Sequence, residues 1–190
     1  MTTATAKKKM TVGEFLALPD DGVRRWLVEG EVREYGMTVR NQEHSIVESC
    51  ITCLLGEWLK RQPAPRGAIA GGEAGFRLPN DLGTVGLDVV YVDAEMVGKR
   101  KETGTTLFEG APTLAVEVLS PSDTQEYIRD RVALLLKAGV KVVWLVDPDD
   151  QTVRVRRKGV PTQAFTSTQE LTAEPELPGF RVPVASLFSW

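Results

Sequence analysis

The sequence predicts an α/β (α+β) domain, with helices against a mixed central sheet and a hairpin at its N-terminal end. Three observations carry that prediction. The stretch "NQEHSIVESCITCLLGEWLKRQ" repeats its apolar residues at the helical period for about five turns. "KVVWLVDP" is continuously apolar, as a strand covered on both faces should be. Between and around them, helical and strand patterns follow in the order hairpin, helix, three strands, helix, strand, strand.

Element by element, residues 1–10 read as a flexible basic tail and residues 11–190 as one domain. "TVGEFLALPDD" predicts a short helix closed by its Pro-Asp-Asp turn. "RRWLVEGEVREYG" alternates about Glu29-Gly30 and predicts the hairpin. After the long helix, "AIAGGEAGFRLP" and "TVGLDVVYVD" predict two strands separated by a turn. "VGKRKETGTT" reads as a charged loop. "APTLAVEVLSPSD" then gives a strand, a turn and the start of a second helix, which Gly139 stops as a C-cap. In "TVRVRRKG", Val153 and Val155 share one strand face and Arg154 and Arg156 the other. "LPGFRVPVASLF" predicts edge strands or loops that pack large apolar groups.

Composition removes several chemistries. A formal net charge of -3 gives the whole protein no pull toward nucleic acid, so such a partner needs a local patch. The single histidine, His44, rules out a zinc site built from several histidines, and a Ser-His-Asp arrangement at Ser120 would depend on that one base. Two cysteines, Cys50 and Cys53, cannot make a four-cysteine zinc site, and their helical phase reads as small core residues. No apolar run reaches membrane-spanning length and the first residues lack a signal peptide's apolar stretch, so a cytoplasmic protein is expected.

The informative residues are acids and bases where apolar ones belong. Glu117 interrupts Leu114, Val116 and Val118; Asp88 interrupts Val85, Leu87, Val89 and Val90. A carboxylate in an apolar strand costs several kcal/mol unless paired. On the second helix Arg131 falls among Tyr127, Leu134 and Leu135 and points inward, where it needs an anion. On the first, His44 and Glu48 lie a turn apart at the edge of the arc centred on Val47, Ile51, Leu55 and Trp58. Two interior carboxylates repel unless a proton or cation stands between them. Hard oxygen ligands suit Mg²⁺ or Mn²⁺; the alternative is a buried Glu117–Arg131 salt bridge with no catalytic role.

"VEGEVRE", "EHSIVESCITCLLGEWL", "GEAGFRLP", "LDVVYV", "APTLAVEVLSPSD", "KAGVKVVWLVDP", "TVRV" and "LPGFRVP" together resemble the Uma-two family of endonucleases, within the restriction-endonuclease-like PD-(D/E)XK superfamily. The resemblance implies a restriction-endonuclease-like sheet flanked by helices and a divalent-metal site on adjacent strands. It places Asp88 at the motif's aspartate, Glu117 at its second acid, Glu48 at an additional acid and Glu73 at a recurring glutamate. It also implies a homodimer, to which "SLFSW" could contribute. Leu87 stands where proline usually precedes the aspartate, and Leu119 where the superfamily's lysine stands; the basic residue is displaced to Arg131, where lysine is usual. Arginine keeps the charge but does not readily give up a proton.

Together these imply a Mg²⁺- or Mn²⁺-dependent DNA endonuclease, with Asp88 and Glu117 on the metal, Glu48 or Glu73 assisting, and Arg131 on the phosphate. Lys99, Arg100, Lys101, Arg154, Arg156 and Arg157 are the candidate DNA-backbone contacts. The rival expectation is a nuclease-fold binding or assembly module with weak or absent catalysis, favoured by the arginine and the acidic balance.

Overall fold

In the computed structural model, residues 9–19, 24–35, 41–103 and 106–189 are described, with the side chains of Arg24, Tyr35 and residues 100–103 left aside. Most of the tail (residues 1–8), the Asp20-Asp21 part of the first predicted turn, and the side chains of Arg100 and Lys101 therefore lie outside the described residues.

Helix α1 (Val12–Leu16) begins at a capping box in which the Thr11 hydroxyl takes the Glu14 N–H and Glu14 answers the Thr11 N–H. Strands β1 (Arg24–Val28) and β2 (Glu31–Tyr35) form the hairpin, with Val28 opposite Glu31 and positive φ at both Glu29 and Gly30. Helix α2 (Gln42–Lys60) starts at the Asn41 cap, and its buried line is His44, Val47, Ile51, Leu55 and Trp58. Strands β3 (Ala68–Leu78) and β4 (Gly83–Val92) run antiparallel.

Residues 94–103 correct the expected charged loop: they form helix α3 (Ala94–Thr103). Asp93 accepts the Met96 N–H at its start, Glu95 meets Lys99 one turn on at 2.6 Å, and Met96 and Val97 turn toward the core. That apolar pair is too short a signal to reveal a helix amid so many charges. Strands β5 (Phe108–Glu109) and β6 (Leu114–Val118) follow, then helix α4 (Gln125–Ala138), stopped by Gly139 at φ 104°. Strands β7 (Val142–Asp147), β8 (Thr152–Arg157) and β9 (Val160–Thr166) complete the large sheet, and β10 (Glu170–Thr172) pairs with β11 (Arg181–Pro183) beside it.

The large sheet has nine strands along the path β2-β1-β4-β6-β7-β8-β9, with β3 on β4 and β5 on β3. Its one central parallel pair is β6–β7, joined through α4 as a crossover demands. One face packs α2 and the C-terminal segment around Val116, Trp144, Phe180 and Leu187; the other packs α4 on Val90, Ala115, Val143 and Leu145.

One expectation fails here. Cys53 is exposed and Cys50 half-buried, because the buried line of α2 passes through Val47 and Ile51 instead. Within "SLFSW", Leu187 and Phe188 are 1% and 8% exposed and pack into this chain's own core. Trp190 lies outside the described residues.

Gly83, at φ 116°, is where β1 crosses onto β4, and a Cβ there would collide with the Leu27 carbonyl. Gly83→Ala is expected to lower stability by about 1–3 kcal/mol from the backbone conformation alone, read in urea unfolding. An unchanged midpoint would show that the hairpin can be displaced freely.

Candidate active site

The site forms because one edge of β4 is shared by two strands that do not meet. Gly83 and Thr84 pair with β1, and Val89 to Tyr91 pair with β6. Residues 85–88 fall in the opening between, and side chains take up its backbone groups. Arg131 Nη2 donates to the Gly86 carbonyl, and Asp88 Oδ2 accepts the Val118 N–H at 2.9 Å. Asp88 is therefore placed by the backbone it replaces in the ladder, and it is only 6% exposed.

On the other edge of β4 the β3 strand carries a bulge. Gly71 pairs with Val89 and Ala74 with Leu87, so Gly72 and Glu73 both stand against Asp88. Both adopt positive φ, 73° and 65°. Glu48 Oε1 of α2 accepts the Gly72 N–H at 2.6 Å, which ties the bulge to the helix. His44 lies one turn earlier, with Nε2 3.4 Å from Asp88 Oδ2 and Nδ1 3.8 Å from Glu48 Oε2. It is 3% exposed, so the histidine read as an edge residue is enclosed between two acids.

Glu117 belongs to the opposite face of the sheet, facing α4. Arg131, 5% exposed, brings Nε and Nη2 to Glu117 Oε1 at 3.1 and 3.0 Å. The guanidinium also lies 3.9 Å from the centroid of the Trp26 ring. Its Nη1 is buried and without a hydrogen-bond partner among the described residues. Burial pushes the Glu117 carboxyl up to about 7; Arg131 opposes this and the Asp88 charge adds to it. Arg131 itself is held charged: burial works against the cation, but Glu117, Tyr127 and Asp88 outweigh it.

Thus Asp88, Glu117 and Arg131 meet at one opening, with His44 and Glu48 behind Asp88. Glu73 sits on the same bulge, its Oε2 2.5 Å from where a Cβ on Gly86 would stand. Among the described residues no group of three or more His, Cys, Asp and Glu is placed to hold a metal ion by itself. The salt bridge expected as the alternative is present, and it shares this opening with the acids.

The basic candidates divide. Lys99 pairs with Glu95 on an exposed helix face. Arg157 is locked to Glu176 at 2.8 Å and to the Glu174 carbonyl, which makes it a brace for the C-terminal segment. Arg154 approaches Asp147 at 3.9 Å, and its register partner Leu145 is in turn opposite Glu117, so it lies on the α4 face of the sheet. Arg156 shares that face two residues on. The sequence reading missed Trp26, a lone aromatic in "RRWLVEG" whose role depends on a helix a hundred residues away. It also missed the backbone groups of Gly72 and Gly86, which carry no side-chain signal.

A mixed α/β sheet, opened at its centre over two strand acids and flanked by few helices, is a nuclease-like fold. The chain belongs to the Uma2 family, described as a putative restriction endonuclease, whose model matches residues 12–185. It is similar to the crystal structure of a putative nuclease from Anabaena variabilis, with a TM-score of 0.80 and 25% identity over 95% of this chain and 98% of that one. No curated protein matches the chain. Among the described residues no helix is long and apolar enough to cross a membrane.

Proposed function

We propose that the protein is a DNA endonuclease that depends on Mg²⁺ or Mn²⁺ and hydrolyses a phosphodiester at Asp88, Glu117 and Arg131. The observation that supports this best is the meeting of two strand carboxylates, one raising the proton affinity of the other, with a buried guanidinium whose Nη1 has no hydrogen-bond partner among the described residues. Such a cluster offers anionic oxygens to a cation and a donor to a phosphate.

The donor set fits a hard divalent ion. Asp88 and Glu117 would hold it, and two protein ligands suffice where water and substrate phosphate complete the shell. Glu48 is engaged with Gly72 N–H, so its assistance, like that of Glu73, runs through water. When bound, the ion supplies an acidified water and polarises the phosphate. The rest falls to the chain. Arg131 keeps its proton, directs Nη1 at a phosphate oxygen and offsets the charge that develops there. The Val118 N–H and His44 hold Asp88 in the opening. Arg154 and Arg156, on the same sheet face as Glu117, steady the strand beyond it.

Nicking of supercoiled plasmid in millimolar Mn²⁺ is expected, and a chelator should abolish it. The same Mn²⁺ should stabilise the wild type by mass action, by about 2.7 kcal/mol at a hundredfold excess over Kd, and so raise its melting temperature. Asp88→Asn should lose both the nicking and the shift. Equal shifts in wild type and Asp88→Asn would remove the metal from this site; no nicking in any divalent ion would favour the binding module.

A further inference from the structure

Beside the acids, the gap between the β1–β2 hairpin and α4 holds a half-open cavity of about 300 Å³. Its walls combine an aromatic pair and a basic rim, which the cleavage chemistry does not require, with Arg131, which it does. Trp26 and Tyr127 face each other with ring centroids 6.4 Å apart and planes inclined by 32°. Arg131 forms the inner wall, one side against Trp26 and the other bonded to Glu117. Arg33 and Lys137 stand at the rim over an apolar floor that includes Leu134. Two carboxylates share the rim, but Glu29 is neutralised by Lys137 at 2.5 Å and Asp130 lies 3.5 Å from Arg129.

Aromatic faces recognise a planar base only when it is out of the stack, since a paired base in a duplex offers proteins its edges alone. The volume stands at the lower end for small-molecule sites, suited to one nucleotide and not to a base pair. Among the described residues the buried Nη1 of Arg131 has no hydrogen-bond acceptor, and a phosphate oxygen is a good one.

We infer that this cavity receives one unstacked nucleotide of the substrate strand, its base against Trp26 and Tyr127 and its phosphate at Arg131. The inference rests on the nuclease reading and narrows it: the preferred substrate is a strand that is single or locally unpaired next to the cut. The hairpin and α4 then act as the jaws that select substrate, while the acids on the sheet do the chemistry.

The test measures binding without cleavage. A fluorescein-labelled 12-nucleotide single strand and the same sequence as a blunt duplex are titrated with the full-length protein in EDTA, by anisotropy. The single strand is expected to bind at least about tenfold tighter. Tyr127→Leu and Trp26→Leu should each weaken single-strand binding by roughly 5- to 150-fold, the range for loss of one base–aromatic stack, and leave duplex binding unchanged. Because Trp26 also supports Arg131, Tyr127→Leu is the decisive variant, with its fold checked by thermal melting. Equal affinity for the two forms, or a folded Tyr127→Leu that binds the single strand as wild type does, would overturn the site. Plasmid nicking by a protein without single-strand preference would leave the nuclease reading intact and reject only this cavity. Selective single-strand binding with no cleavage of any substrate in Mn²⁺ would keep the cavity as a binding site and reject the nuclease reading.

Discussion

Arg131→Ala is expected to lower stability by about 3–5 kcal/mol at neutral pH, the usual cost of breaking a buried charge pair from one side. Three partners lose the guanidinium at once: Glu117 Oε1, the Gly86 carbonyl on the β4 edge that neither β1 nor β6 covers, and the face of Trp26. On that edge of β4 neither β1 nor β6 pairs with residues 85–88. Urea unfolding reads the loss. In the same variant plasmid cleavage should vanish, even at temperatures where the protein remains folded. Arg131→Lys should separate the two roles. An ammonium cannot hold the carboxylate, the carbonyl and the ring together in one plane, so part of the stability is lost. It still delivers a positive charge beside the phosphate, and cleavage should persist or increase. A folded Arg131→Ala protein that cuts as fast as wild type would remove the residue from the mechanism.

The second large effect is a dependence of stability on pH that originates at Glu117. Its carboxyl is raised from 4.5 to about 7 in the folded protein, chiefly by burial, against the pull of Arg131. The folded state therefore binds a proton more tightly than the unfolded chain. Its contribution is fully present below the unfolded value and disappears as pH rises through about 7. From pH 4.5 to 7.5 the wild type should lose about 3 kcal/mol on this account. Other groups titrate in that window, so the comparison that matters is with Glu117→Gln, which cannot ionise. The wild type should show the steeper decline, measured by urea unfolding at a series of pH values. Parallel pH profiles for the two proteins would show that the carboxyl titrates normally. A divalent ion at the site should also displace that proton, so wild-type affinity for Mn²⁺ should fall as pH drops below about 7.

Both effects trace to residues the sequence exposes by contrast. Glu117 and Asp88 are visible because an acid within Leu114–Val118 or Val85–Val90 violates the strand's own pattern. Arg131 is visible because a cation on the inner arc of a helix breaks the helical period. The hairpin, both long helices and the order of the main strands are legible for the same reason: local periodicity and caps are written in neighbouring residues. Helix α3 is not, because its capping Asp93 and its two inward apolar residues are outnumbered by charges.

What the sequence by itself determined is which elements form and which few residues are chemically out of place in them. Only the tertiary structure decided where those residues meet. The opening at residues 85–88 exists because β1 and β6 share an edge of β4 without touching, a fact about strands some ninety residues apart in sequence. The same holds for Trp26 under Arg131, His44 against Asp88 and Glu48 on the Gly72 amide. Such contacts are set by chain crossing and burial, not by propensity or spacing. A side chain's partner across the fold leaves no periodic trace in its own segment.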